Sequence, residues 1–335
     1  MSEPFVLDAS FSTLRAESFT NDAVGRLVQN AVTGTGADTV SLDRTLVNSV
    51  DETTSQRLDS WKVTDQKHSG RCWEFAGLNV LRAKVIDELK VDDFQFSQNY
   101  IAFFDKLEKA NHTLSRATAT ASRDASEEEV RSIMDYPSED GGWWFQFTDI
   151  VAKYGLVPSR AMPDTESAGN TAQMNQALAT VLRRAIGRIR EAATNSDPAE
   201  GSAHMEAVRN EALNAVWRIL AIHLGTPPTS FMWQYRDKDK NFHRKGTYTP
   251  LKYAHEIVPQ AFDPWVALAH DPREEHPVGR TYVHEHTPYM EGGTPYWHLS
   301  VGLDLLKKTI VESIADGEPV WFSCDVKKQF DKDLG

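Results

Sequence analysis

Cysteine is nearly absent from this sequence: Cys72 and Cys324 are the only two among 335 residues. Two thiols so far apart exclude a disulfide framework, a zinc ribbon and a Cys-x-x-Cys redox pair, and a reducing compartment fits best. No stretch approaches the ~18 uncharged apolar residues of a membrane span. The acidic start Met-Ser-Glu-Pro-Phe has neither the basic n-region nor the apolar h-region of a secretory signal. The expectation is a soluble, cytoplasmic protein with no membrane partner. Basic charge is also scarce, with 36 Lys and Arg against 48 Asp and Glu and a formal net charge of −12. The one locally basic segment, 235–245, is interrupted by Asp237 and Asp239, so nucleic acid is excluded as a partner. No phosphate loop and no Gly-x-Ser-x-Gly occur, and His255-Glu256 lacks the second histidine of a zincin helix. No cofactor is implied.

What is present is an ordinary globular composition, 40% hydrophobic and 25% charged, long enough for a sizeable core. Residues 1–60 alternate short apolar patches with turn formers and read as a leader wrapped over a domain. After Gly70 the pattern turns helical, with Phe75, Leu78, Leu81, Val85 and Leu89 recurring at helical spacing and Cys72 at the helix start. Residues 61–112 are therefore a helical, cysteine-bearing subdomain. Ser97 is suited to cap a second helix carrying Tyr100, Phe103, Phe104 and Leu107, and Ser126-Glu127-Glu128-Glu129 matches a capping box. Asp140-Gly141-Gly142 opens a helix stopped by Gly155 and Pro158, and two long amphipathic helices fill 170–222, broken at Asn195-Ser196-Asp197-Pro198. Residues 113–225 form a helical block. Beyond Gly225 the chain reads as short strands at 230–235, 265–269, 280–284 and 319–326, with one helix over 304–315. Residues 226–335 are thus a β-rich subdomain, and the class is α+β. Cys324, among Trp321 and Phe322, reads as a core residue of the last strand.

A thiol attacks a carbonyl as its thiolate, which the positive end of a helix favours, and the tetrahedral intermediate needs two donors aimed at its oxyanion. The backbone N–H of Cys72 is one candidate, and the side chain of Gln66, across the Ser69-Gly70 turn, is the other. The run Gln66-x5-Cys72-Trp73-x-Phe75-Ala76 resembles the active-site entry of papain-like cysteine peptidases. Asp65-Gln66-Lys67-x-Ser69-Gly70-Arg71-Cys72-Trp73 resembles their bleomycin hydrolase and aminopeptidase C branch. So do Ser97-Gln98-Asn99-Tyr100, Asp105-Lys106-Leu107-Glu108-Lys109-Ala110-Asn111, Asp140-Gly141-Gly142-Trp143, Tyr154-Gly155-Leu156-Val157-Pro158 and Gly317-Glu318-Pro319-Val320-Trp321-Phe322. The resemblance implies a papain-like α+β fold in which 113–225 is a helical insertion and substrate-loop region, with Cys72 as nucleophile and Gln66 in the oxyanion hole. Gly141 and Gly142 would offer backbone to an extended peptide substrate, where missing side chains let two backbones approach. It further implies a homohexamer with active sites on a central channel and a C-terminal arm restricting cleavage to peptide N-termini.

The base is missing from the pattern. The family pattern puts the catalytic histidine beyond Gly-Glu-Pro-Val-Trp-Phe and an asparagine later still, whereas His298 is the last histidine and Asn-Ser-Trp does not occur. The β domain is therefore expected to be incomplete, the chain truncated before its His and Asn, and turnover by the chain alone slight. His68 is the nearest substitute in sequence; His204 and His223 fall on a helix. Glu274, Glu275, His276, His284 and His286 invite a metal reading, but a polar strand edge is the better one because no ligand set has fixed spacing. The alternative to an enzyme is a non-catalytic pseudoenzyme or oligomerising fragment that has shed its base.

Overall fold

The computed structural model describes residues 6–51, 53–58, 61–284 and 289–324. They divide into two units, the described part of 1–55 with 323–324, and the described part of 56–322. The first unit carries α1 (Ala9–Thr20), α2 (Ala23–Thr35), α3 (Ala37–Ser41) and α4 (Arg44–Ser49), which contain no buried residue. Asp8, Asp22 and Asp43 cap α1, α2 and α4 by accepting backbone N–H groups with their carboxylates. These short helices are specified locally, by caps.

The second unit is built around α5 (Cys72–Leu89), α6 (Gln98–Ala119), α7 (Glu128–Asp135), α8 (Trp144–Tyr154), α9 (Glu166–Gly169), α10 (Ala172–Ala192) and α11 (Pro198–Leu224). Ser97 caps α6 as its sequence position predicts, its hydroxyl accepting from Tyr100 N at 3.0 Å. The predicted cap at Ser126 is displaced. The carboxylate of Asp124 takes both the N–H and the hydroxyl of Ser126, Glu127 reaches back to Asp124 N at 3.2 Å, and α7 starts at Glu128. The reciprocal pair is Asp124 with Glu127, because a carboxylate is the stronger acceptor. α10 and α11 pack along each other and onto α6, burying Leu178, Leu182, Ile186 and Ile189 against Val208, Val216 and Leu220.

Two small sheets follow. Strands β1 (Phe231–Arg236) and β2 (Phe242–Tyr248) form an antiparallel hairpin with a bulge at Trp233/Gln234. The helix α12 (Pro250–Ile257) brings Tyr253 against Trp233 and Phe96, an aromatic cluster that ties the hairpin to the segment entering α6. In the other sheet β5 (Tyr296–Ser300) lies between β3 (Leu268–Ala269), parallel to it, and β4 (Thr281–His284), antiparallel, with Tyr282 opposite His298. α13 (Leu303–Ala315) comes next. The mixture of helices and strands is the α+β class that the sequence predicts. The final predicted strand is corrected for its described part: 319–324 forms no strand, and Phe322 and Cys324 are exposed. No ladder partner faces that segment among the described residues, so its apolar run alone cannot make it a strand. Cys324 is accordingly not a core residue, and 325–326 lie outside the described residues.

Candidate active site

Cys72 is the first residue of α5 and is exposed, while Trp73, Glu74 and Phe75 behind it are buried. Arg71 caps the helix through its carbonyl, which accepts from Glu74 N and Phe75 N at 3.0 and 3.1 Å. Among the described residues the Cys72 N–H has no acceptor and its sulfur no hydrogen-bond partner. A helix start leaves such donors unused, which suits an anion. The preceding loop is braced from both sides. The guanidinium of Arg71, 3% exposed, forks onto Asp164 with two 3.0 Å bonds and donates to Ser69 Oγ at 3.0 Å. Ser69 Oγ in turn donates to Gln66 O at 2.6 Å, and His68 N donates to Gly169 O at 2.9 Å. Gln66 is half-buried, with Oε1 enclosed and its side-chain amide unengaged among the described residues.

The loop bearing Gly141 and Gly142 lies against this one. Gly141 N donates to Gly70 O at 3.2 Å, with Gly141 at φ +87°, a conformation that favours glycine. A Cβ on Gly142 would stand 2.8 Å from the Trp73 ring and 2.8 Å from Gln146 Oε1, so the loop seats on Trp73 only without a side chain there. The carbonyl of Gly141 accepts from Lys109 Nζ at 2.5 Å. Both backbone groups of Gly141 are thus engaged, whereas among the described residues those of Gly142 have no hydrogen-bond partner.

Beneath the two loops is a polar interior that sequence reasoning missed. On α6, Asp105, Lys106, Glu108 and Lys109 are all buried, whereas Phe104 and Leu107, assigned to its apolar face, are half-buried. Lys109 Nζ bonds Asp105 at 2.9 Å, Gln146 Nε2 donates to the other Asp105 oxygen at 2.5 Å, and Lys106 Nζ bonds Glu139 O at 2.9 Å and Asp140 at 2.5 Å. Burial, reinforced by the neighbouring Asp105, pushes the Glu74 carboxyl well above the usual carboxylate range. Burial, then Lys109, holds the Lys106 ammonium below the usual lysine range. Glu108 accepts from Lys153 at 2.5 Å and from the Tyr154 hydroxyl. The available signal was the run Asp-Lys-Leu-Glu-Lys following Phe103-Phe104 without a break in the helix.

The structure places Cys72 at the start of α5, Gln66 on the loop before it and Gly141 and Gly142 on the adjoining loop, and among the described residues no imidazole is hydrogen-bonded to any of them. His68 is exposed on the nucleophile loop. His204 is exposed on α11, and His223 Nδ1 lies 2.8 Å from Ser167 Oγ. His255 stacks on Phe262, and His276 Nδ1 lies 2.5 Å from Asp271. His284 Nε2 lies 3.3 Å from His298 Nδ1 across β4 and β5, and His286 lies outside the described residues. Among the described residues no three acidic, histidine or cysteine groups converge as a metal site. Among the described residues no helix is long and apolar enough to cross a membrane.

Comparison with known proteins gives a consistent result. A profile of the Peptidase C1-like family matches residues 7–335. Bleomycin hydrolase of Homo sapiens is 37% identical over 277 residues, 82% of this chain and 60% of the human protein. Aminopeptidase C of Listeria monocytogenes is 36% identical over 281 residues, 84% of this chain and 62% of that one. The chain therefore spans about three fifths of the length of these relatives. The crystal structure of PepW from Lactobacillus rhamnosis superposes with a TM-score of 0.91 at 31% identity, covering 99% of this chain and 73% of PepW. With a profile match over nearly its whole length and relatives above one-third identity, the chain belongs to the Peptidase C1-like family.

Proposed function

We propose that this chain supplies the nucleophile, the oxyanion donors and the substrate-pairing loop of a cysteine aminopeptidase of the bleomycin hydrolase and aminopeptidase C type. One observation carries the reading: an exposed thiol at a helix start, with an unengaged backbone N–H and an unengaged glutamine amide on the same loop. The Cys72 thiolate forms a C–S bond to the carbonyl carbon of the first peptide bond. The carbonyl oxygen takes the negative charge and accepts hydrogen bonds from the Cys72 N–H and the Gln66 amide, the C–N bond breaks as the amine takes a proton from solvent water, and water then hydrolyses the thioester to release the carboxylate and the thiol. The free N–H and C=O of Gly142 pair with the backbone of the extended peptide.

Proton transfer separates this chain from efficient turnover. Cys72 has no imidazole partner among the described residues, so none of these holds a base bonded to the thiol that would take its proton and return one to the leaving amine. The 335-residue chain by itself is expected to bind and be alkylated by peptidyl electrophiles yet turn over an aminoacyl anilide at a rate near background. The cytoplasmic homohexamer implied by family resemblance belongs to the same proposal, and sedimentation of the purified chain tests the assembly. The deciding measurement is alkylation of Cys72 by a peptidyl electrophile with a free N-terminus, compared with iodoacetamide. A preference for the peptidyl reagent supports the reading, and equal rates overturn it. Efficient turnover lost in Cys72→Ser would overturn the expected inactivity, and loss in His68→Ala would then name the base. The unpartnered thiol favours one second reading, a non-catalytic interaction fragment, for which equal alkylation rates are the expected result.

A further inference from the structure

Two buried lysines hold the loop that faces Cys72, and nothing in the reading above gives them a role. Lys106 and Lys109 are 4% and 3% exposed and stand on one face of α6. Burying two neighbouring ammonium groups is strongly unfavourable unless each meets strong acceptors. Their acceptors fall on three consecutive residues: Glu139 O and the Asp140 carboxylate for Lys106, Gly141 O for Lys109. Lys109 is aimed by Asp105, itself 2% exposed, and lies 5.4 Å from the centroid of the Trp73 ring, next in sequence to the nucleophile. Asn175 holds Asp140 from the opposite side at 3.1 and 3.2 Å. A core could be filled with far less desolvation by apolar side chains of the same size. What these charges provide, and apolar groups would not, is a fixed position for 139–142 against the loop that leads into Cys72, where Gly141 N is bonded to Gly70 O.

We propose that Lys109, aimed by Asp105, and Lys106 are positioning residues for peptide capture: they hold the 139–142 loop so that the free backbone groups of Gly142 meet an extended substrate. This rests on the peptidase reading given above. Neither lysine touches the reacting atoms, so the bare reactivity of Cys72 is independent of them and only its preference for a peptide depends on them.

The experiment compares second-order alkylation rates of Cys72 by a peptidyl vinyl sulfone and by iodoacetamide in the full 335-residue chain. Lys109→Met with Asp105→Asn removes the ammonium together with its counter-charge and keeps the volume. The expected result is an iodoacetamide rate within about twofold of the unaltered chain and a peptidyl rate lower by about tenfold, the effect of losing one aligned hydrogen-bonding partner. Lys106→Met is the second variant. Its partner Asp140 is one-third exposed and keeps Asn175, so no unpaired carboxylate is buried, and a fall of about threefold is expected. Cooperative melting establishes that each variant is folded. A folded variant of either kind that keeps the full preference for the peptidyl reagent overturns the proposal. Absence of any preference in the unaltered chain instead overturns the peptidase reading on which it stands, and the two failures are told apart by which protein shows them.

Discussion

α6 and the sheet formed by β3, β5 and β4 handle polar groups in opposite ways. α6 buries Asp105, Lys106, Glu108 and Lys109, each given partners of opposite charge or a backbone carbonyl. The sheet brings His284 and His298, two groups of the same kind, to 3.3 Å of each other, while His276 nearby, beside Tyr282, pairs with Asp271 at 2.5 Å. Paired ions in an interior define geometry over a wide pH range, because protonating or deprotonating either partner is opposed by the other. Neighbouring imidazoles oppose one another's protonation, so that part of the molecule is sensitive to pH near neutrality. Geometry for peptide capture is located in the first kind of environment.

The largest effect comes from breaking an interior pair on one side only. Asp105→Ala leaves Lys109 buried with only the Gly141 carbonyl, and should lower stability by about 3–5 kcal/mol in denaturant titrations. A loss below about 1 kcal/mol would mean that water replaces the carboxylate and that the interior resembles the sheet after all.

The next effect sharpens the comparison by removing an uncompensated group. Glu74 is 1% exposed, and its Oε2 has no partner. Its folded pKa is raised by burial, so the folded state holds a proton that the unfolded chain releases above its ordinary value of 4.5. Stability therefore declines as pH rises above that value, and Glu74→Gln should remove the decline. The expected gain at pH 8 is about 1 kcal/mol, read as a difference between the pH 5 and pH 8 denaturation curves.

On the sheet the sign is reversed. Burial, then the neighbouring His284 and His276, hold the His298 imidazole below 6.5. The unfolded chain gains its proton first as pH falls, so this contribution to stability is present above 6.5 and lost as pH drops through the lower folded value. The melting temperature should fall between pH 7 and pH 5, and His298→Gln should flatten that part of the profile, by less than about 1 kcal/mol because the group remains in partial contact with solvent. Smallest of all is Lys308→Ala. Lys308 and Glu312 meet at 3.7 Å with side chains 67% and 62% exposed, and no change in melting temperature is expected.

The same contrast explains what was readable in the sequence. Ser97 as a cap, Cys72 at a helix start and the break before Pro198 follow from neighbours within a few residues, and all three stand as read. The buried face of α6 was invisible, because Lys109 is solvated by a carbonyl 32 residues away and Asp105 by an amide 41 residues away. Periodicity assigned Leu107 to the apolar face of the helix; tertiary partners leave it half-buried and bury the charges beside it. β5 was missed because the middle of Tyr296–Ser300 is a buried histidine, where an apolar residue would have marked the strand. Of the candidate site, the position of Cys72 at a helix start after a turn was legible in the sequence, and the engagement of both Gly141 backbone groups was not.

Arg71, the residue before Cys72, forks onto Asp164, 93 positions further along the chain. A contact of that span forms only after the intervening helices have docked, since closing so long a loop is opposed by chain entropy and rewarded only by the final fork. The surroundings of Cys72 are therefore assembled late in folding and released early in unfolding. Formation of the Arg71–Asp164 fork therefore reports completion of the fold more stringently than helical content does.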